Sequence, residues 1–225
     1  MAENTKKILL WFLDLAINVA IIFGLVIIIQ TWIIAPFDVS GASMCDTLNV
    51  IKNECQSGYG EKIIINEAVY LTSDPERGDI VVFKSPNNED KYFIKRIIGL
   101  PGETVTIKNG EVYVTKVGSD KEEKLNERYL NEENKGNTKT YFSNMSVFEV
   151  PENHYFLLGD NRKASTDSRS CFEGNISINC EQHPEKAFVP AENLRGKTWV
   201  VWWPIQNIRI IDHYNYNNSE SLEEK

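Results

Sequence analysis

The chain has 225 residues, 42% hydrophobic and 25% charged, a balance that excludes disorder throughout. Its net charge of −8 and pI of about 5.1 argue against a broad basic surface, so nucleic acid is not an expected partner. Mean hydropathy is −0.33, too polar for a protein of many spans, and four cysteines are too few for a small disulfide-built scaffold.

Ile8 to Phe37 is almost wholly apolar, interrupted by Asp14, Asn18, Gln30 and Thr31. That exceeds the roughly 20 residues that cross a bilayer as a helix. Trp11 and Trp32 stand 21 residues apart, about 32 Å of helix. The hydrocarbon core is about 30 Å thick, and aromatic residues favour its edges. Residues 8–35 are therefore expected to be a transmembrane anchor in the lipid bilayer. Lys6 and Lys7 assign a short tail, 1–7, to the cytoplasm and everything after Pro36 to the outside. The competing reading is a cleaved signal peptide. Its apolar region would span only about 7–15 residues, and Pro36 after Ala35 is a poor start for a mature chain.

From residue 36 to 212 the pattern is mainly β. Short apolar runs alternate with turn signals: Asp79 to Lys84, Lys91 to Leu100, Tyr155 to Leu158, Thr198 to Trp203 and Ile208 to Ile211. Thr104 to Ile107 and Glu111 to Thr115 flank Asn109-Gly110, a hairpin turn signal. Residues 116–146 are rich in Lys, Glu and Asn. They are expected to be an exposed excursion, part of a small inserted lobe at about 103–153. Residues 213–225 are polar and acidic and are expected to be disordered.

Three segments carry candidate chemistry. In the first, Gly41-Ala42-Ser43 would present a serine on a bend just beyond the anchor. The second is an apolar strand whose alternation sets Phe93, Lys95 and Ile97 on one face and Ile94, Arg96 and Ile98 on the other. A lysine buried there loses hydration, its pKa falls, and the neutral amine can serve as a general base. In the third, Gly159 to Arg169, Asp160, Arg162, Asp167 and Arg169 could brace one another as an ion-pair network. Taken singly, each has a plain reading: a surface loop, an edge strand with solvated cations, a polar turn.

Together, and in this order, they resemble the bacterial type I signal peptidases in their single-span form. Gly41 to Leu48 is similar to that family's serine box, Phe93 to Gly102 to its lysine box, and Gly159 to Arg169 meets its third box in full. Gly78 to Phe83 matches as well. The resemblance runs from the anchor to about Ile211. It implies a signal-peptidase-type β domain and a membrane-bound serine endopeptidase that removes signal peptides from exported preproteins, close to the secretion translocase. It makes Ser43 the nucleophile, with its own backbone N–H in the oxyanion hole, and Lys95 the base. Ser165 would hydrogen-bond and orient the lysine. Asp160, Arg162, Asp167 and Arg169 would shape the site, and Phe37, Val39, Met44, Val82 and Ile94 would line the substrate pockets. No cofactor or metal is implied.

Two departures stand out. Gly41 lacks the hydroxyl that two-span members use in the oxyanion hole, and Asp46 stands where the family has proline. The alternatives are a catalytically impaired, membrane-tethered β binding module, or another Ser–Lys peptidase. The four cysteines allow three pairings. Local bridges 45–55 and 171–180 are expected outside the cytoplasm, with free thiols as the other reading.

Overall fold

The computed structural model describes residues 2–45, 47–142, 145–173 and 178–216. The first element is one helix, α1 (Ala2–Trp32). Its stretch Lys6–Ile27 has a mean hydropathy of 2.4 and is not buried against the rest of the chain. A helix this long and this apolar meets the requirement for a membrane span by length and composition. It ends three residues before the expected anchor boundary at 35. Ile34 and Ala35 already belong to a strand, because Pro36 has no N–H to donate and disfavours helical geometry at the residue before it. The side chains of residues 28–32, Trp32 among them, lie outside the described residues.

That strand is β1 (Ile34–Ser40). It leads through a loop into a short ribbon, β2 (Val50–Ile51) and β3 (Glu54–Cys55), and then into β4 (Tyr59–Asn66). β5 (Ile80–Ser85) and β6 (Asn88–Gly99) follow as a hairpin. The main sheet has eight strands in the order β1-β4-β13-β5-β6-β11-β12, with β14 beside β13. Its remaining members are β11 (His154–Leu158), β12 (Val189–Pro190), β13 (Leu194–Trp203) and β14 (Arg209–Ile210). Every pairing in it is antiparallel. Under β1, the side chains of Val39, Met44, Leu48, Ile63, Ile65, Ile80 and Val82 form one buried cluster.

The inserted lobe is a four-stranded sheet, β10-β7-β8-β9. β7 (Thr104–Lys108) and β8 (Glu111–Thr115) turn through Asn109 at φ 55° and Gly110 at φ 82°, the two positive values that a type I′ hairpin requires. β10 is Val147–Glu149. Residues 116–146 are not the exposed excursion that their composition indicates. They form β9 (Glu122–Lys124) and bury Leu125, Leu130 and Phe142, together with Glu127. Leu125, Leu130 and Phe142 recur at no helical or strand spacing, so no periodicity announces them.

The expected disorder at 213–225 is corrected for its first residues. Burial and nearby Lys197 push the His213 imidazole down to about 4, so it is neutral at pH 7. Its Nδ1 accepts from Ile80 N at 3.0 Å and its Nε2 donates to Thr198 O at 2.8 Å. The Tyr216 hydroxyl lies 3.0 Å from that of Tyr129. A short polar tail is ordered when its side chains satisfy backbone groups of the sheet. Residues 217–225 lie outside the described residues. Cys45 is bridged to Cys55, and Cys171 to Cys180.

Candidate active site

Ser43 sits on the loop that follows β1. Gly41 opens it at φ 87°, a backbone region that glycine enters without strain. Met44 O then accepts from Thr47 N at 3.1 Å and Leu48 N at 2.8 Å, a tight turn that carries Met44 and Leu48 into the core. The loop rests on the third segment. Asn161 N donates to Ser43 O at 3.0 Å, and Asn161 Nδ2 donates to Ala42 O at 3.1 Å. The approach is close enough to demand glycine at 159, where a Cβ would lie 2.5 Å from Ser43 O and 2.1 Å from Ser165 Oγ.

β6 separates its two cations. Lys95 points to one side and is 2% exposed. Its Nζ lies 2.7 Å from Ser43 Oγ and 2.8 Å from Ile94 O. Among the described residues, no carboxylate lies within ion-pair distance of it. Burial is the main reason its pKa falls from 10.5 to about 8. Arg169 pushes in the same direction, while Asp167 and Asp160 oppose it. Arg96 points to the other side and meets Asp160 with two parallel bonds, Nε–Oδ1 at 2.9 Å and Nη2–Oδ2 at 2.7 Å. Its guanidinium also lies 4.0 Å from the Tyr129 ring centroid. One strand therefore holds a fully partnered guanidinium beside an amine with no counter-charge.

The four charged residues of the third segment do not brace one another as a closed network. Only Asp167 and Arg169 pair with each other, at 2.9 and 2.8 Å. Asp160 reaches Arg96 and also accepts from Thr47 Oγ1 at 2.5 Å. Arg162 reaches Glu127 in the lobe, with Nη1–Oε2 at 2.7 Å, and Thr138 at 2.6 Å. Asp167 also accepts from Gly159 N at 3.1 Å. Burial alone would raise its pKa, but Arg169 and these bonds outweigh burial and lower it. The partners come from elements packed around the loop: Arg96 on β6, Thr47 after β1, and Glu127 and Thr138 in the lobe. Ser165 also departs from expectation. Its hydroxyl is turned toward Asp167, whose pKa it helps to lower, and the lysine Nζ meets Ser43 Oγ and Ile94 O.

All five expected pocket residues, Phe37, Val39, Met44, Val82 and Ile94, line one cleft of about 400 Å³ with Ser43 and Lys95. Tyr92 is a sixth lining residue, edge-on to Phe37 with ring centroids 5.3 Å apart. Its alternation with Ile94 on β6 was the available signal. Thr47 and Asn161 lay within the recognised segments. Glu127, Tyr129 and Thr138 had no local signal, since their partner is 24 to 35 residues away. Asp46 lies outside the described residues.

An apolar helix long enough to span a membrane, leading into a β domain with a serine hydroxyl against a buried amine in a cleft, fits the class of membrane-anchored serine peptidases. A family model described as signal peptidase, peptidase S26, matches residues 12–203, and the chain belongs to that family. It is 36% identical over 172 residues to signal peptidase I S of Bacillus subtilis (75% of this chain, 82% of that protein). It is 32% identical over 214 residues to signal peptidase I of Pseudomonas fluorescens (85% and 73%). A solved signal peptidase I from Enterococcus faecalis is 32% identical, covers 56% of this chain and 97% of its own, and superposes with a TM-score of 0.38. Membership rests on the sequence matches and not on that superposition.

Proposed function

We propose that this protein removes signal peptides from exported preproteins, with Ser43 as nucleophile and Lys95 as general base. The 2.7 Å contact between Lys95 Nζ and Ser43 Oγ, inside a buried site with no carboxylate on the amine among the described residues, carries this reading. A neutral Lys95 takes the Ser43 proton as Oγ attacks the scissile carbonyl. The oxyanion is met by the Ser43 backbone N–H. The lysine ammonium then protonates the leaving amine, and neutral Lys95 next activates a water that releases the acyl group. Ser165, Asp160, Arg162, Asp167 and Arg169 shape the site from behind.

The cleft supports cleavage after small side chains. Phe37, Met44 and Ile94 narrow it beside Ser43 and present apolar surface there. Lys6 and Lys7 support a cytoplasmic N-terminus, and two disulfides support an oxidising surrounding for the β domain. Ser43 lies 11 residues beyond Trp32, at most about 36 Å of extended chain. The nucleophile therefore works near the membrane surface, where a translocase would deliver the end of a signal peptide's apolar segment.

The test is cleavage of a preprotein by the full-length protein in detergent, followed by N-terminal sequencing of the product. Ser43→Ala, which removes the attacking hydroxyl, and Lys95→Arg, whose guanidinium stays protonated, should each lose at least ~10³-fold in rate. Retained cleavage by either variant would remove the dyad. Equal cleavage with Ala, Leu and Phe at the position before the cut would remove the signal-peptide specificity.

A further inference from the structure

We propose that Asn49 is a positioning residue for Ser43: its carboxamide, seated on Glu61, closes the serine loop into a ring that fixes where the nucleophile stands. This rests on Ser43 being the nucleophile. Asn49 belongs to none of the three segments that carry the chemistry, yet it is fully buried and its backbone sits at φ 64°, a region where asparagine is favoured among residues with a Cβ.

The carboxamide is a hub. Its Nδ2 lies 3.1 Å from Gly41 O, 3.0 Å from Gln56 O and 2.9 Å from Gly58 O, so two N–H groups serve three carbonyls. Its Oδ1 accepts from Glu61 N at 2.9 Å, and Glu61 Oε2 accepts from Asn49 N at 2.7 Å. Glu61 is itself wholly buried. It is held by Asn207 Nδ2 at 3.0 Å and by Arg209, whose Nη2 also donates to Thr47 O at 2.8 Å. The space is fitted closely: a Cβ on Gly60 would lie 2.3 Å from Asn49 Oδ1. The first and last residues of Gly41–Asn49, with Thr47 between them, are thus tied to one point on β4, and Ser43 stands inside the closed loop.

The tie bears on rate because the two halves of the dyad are unequally supported. Lys95 is part of a central strand paired on both sides, whereas Ser43 depends on its loop. A misplacement of about 1 Å can cost about 100-fold in rate. Losing the carboxamide frees Gly41 and Asn49 to move apart while leaving every group that touches substrate unchanged.

The experiment is steady-state cleavage by full-length Asn49→Gly in detergent, 10 °C below its own melting temperature and normalised to the folded fraction. Glycine keeps the positive φ and removes only the side chain. The expected result is a kcat lower by about 10- to 100-fold, with KM within about threefold and the alkaline limb at the wild-type pH. A kcat per folded molecule within twofold of wild type, whatever the melting temperature, would overturn the proposal and leave Asn49 a structural residue. If Asn49→Gly does not fold, Glu61→Gln decides by the same criterion, since it keeps the shape and weakens the seat. Ser43→Ala in the same assay separates the two failures. An active Ser43→Ala removes the nucleophile assignment, while an inactive one beside an unaffected Asn49→Gly removes only the positioning role.

Discussion

The two loops that meet at the active site are held by different forces. Gly41–Asn49, which carries the serine, is tied by amide–carbonyl bonds, a disulfide and its seat on the Glu61–Arg209 pair, on the side away from Lys95's strand. Gly159–Arg169, which supports it from behind, is tied by buried guanidinium–carboxylate pairs: Arg96–Asp160, Arg162–Glu127 and Arg169–Asp167. A carboxylate against the Lys95 amine would hold it protonated, whereas a disulfide and carboxamide bonds stiffen the loop without setting a charge against the amine. In the rear loop each charge has its partner, so the opposing pulls of Asp167, Asp160 and Arg169 on Lys95 partly cancel. The site gains rigidity on both sides, while Lys95 has no ion-pair partner among the described residues.

The largest effect comes from breaking the rear pairs. Asp167→Ala strands the Arg169 guanidinium, which is 1% exposed. Losing one member of such a pair costs about 3–5 kcal/mol, roughly 6–20 °C of melting temperature in a chain of this size. Rate should fall with it through misplacement of the site. Calorimetry checks this, and a wild-type melting temperature with no activity would instead give Asp167 a direct chemical role.

The next effect has the opposite sign. Lys95 is protonated in the unfolded chain up to pH 10.5 but in the folded one only up to about 8. Below pH 8 both states are protonated and burial of the ammonium costs the full amount, about 3 kcal/mol. Between pH 8 and 10.5 the cost shrinks, and above that it vanishes. Lys95→Met should therefore be inactive yet more stable than wild type at pH 7, with the gain fading as pH approaches 10.5. The wild-type rate should climb about tenfold per pH unit below pH 8 and then level. A melting-temperature difference that ignores pH would break the contrast between unpaired amine and paired guanidinium.

The smallest effect falls on the front loop. Cys45→Ser with Cys55→Ser opens a ring closed across 10 residues, worth about 2.5 kcal/mol in chain entropy. The loss of rate should be milder than in Asn49→Gly, because the carboxamide remains. Parallel melting and rate measurements on the two variants rank the ties; a larger rate loss for the cysteine pair would make the disulfide the main one.

What could be read from sequence was what lies close along the chain. Ser43 on its bend, Lys95 and Arg96 on opposite faces of one strand, and the Asn109-Gly110 turn all follow from spacings of a few residues. β4 was not legible because Glu61 occupies an inward position, so a charge interrupts the alternation that would have marked the strand. Only the fold reveals that Arg209 and Asn207, more than 140 residues later, make that position tolerable. Glu127 escaped for the same reason. The orienting role expected of Ser165 was not legible either, because a sequence cannot tell that its hydroxyl faces Asp167.

A single residue, Ile33, separates the end of α1 from the start of β1, and β1 is paired from its first residue, Ile34 opposite Asn66. There is no coil between anchor and sheet to take up slack. With α1 set in a bilayer, the junction would act as a spacer of fixed length between the lipid and Ser43. Each residue inserted after Trp32 in extended form would raise it by about 3.3 Å, one residue of a substrate strand. The scissile bond would then move along the preprotein by whole residues, which turns the length of this junction into a dial for where the mature chain begins.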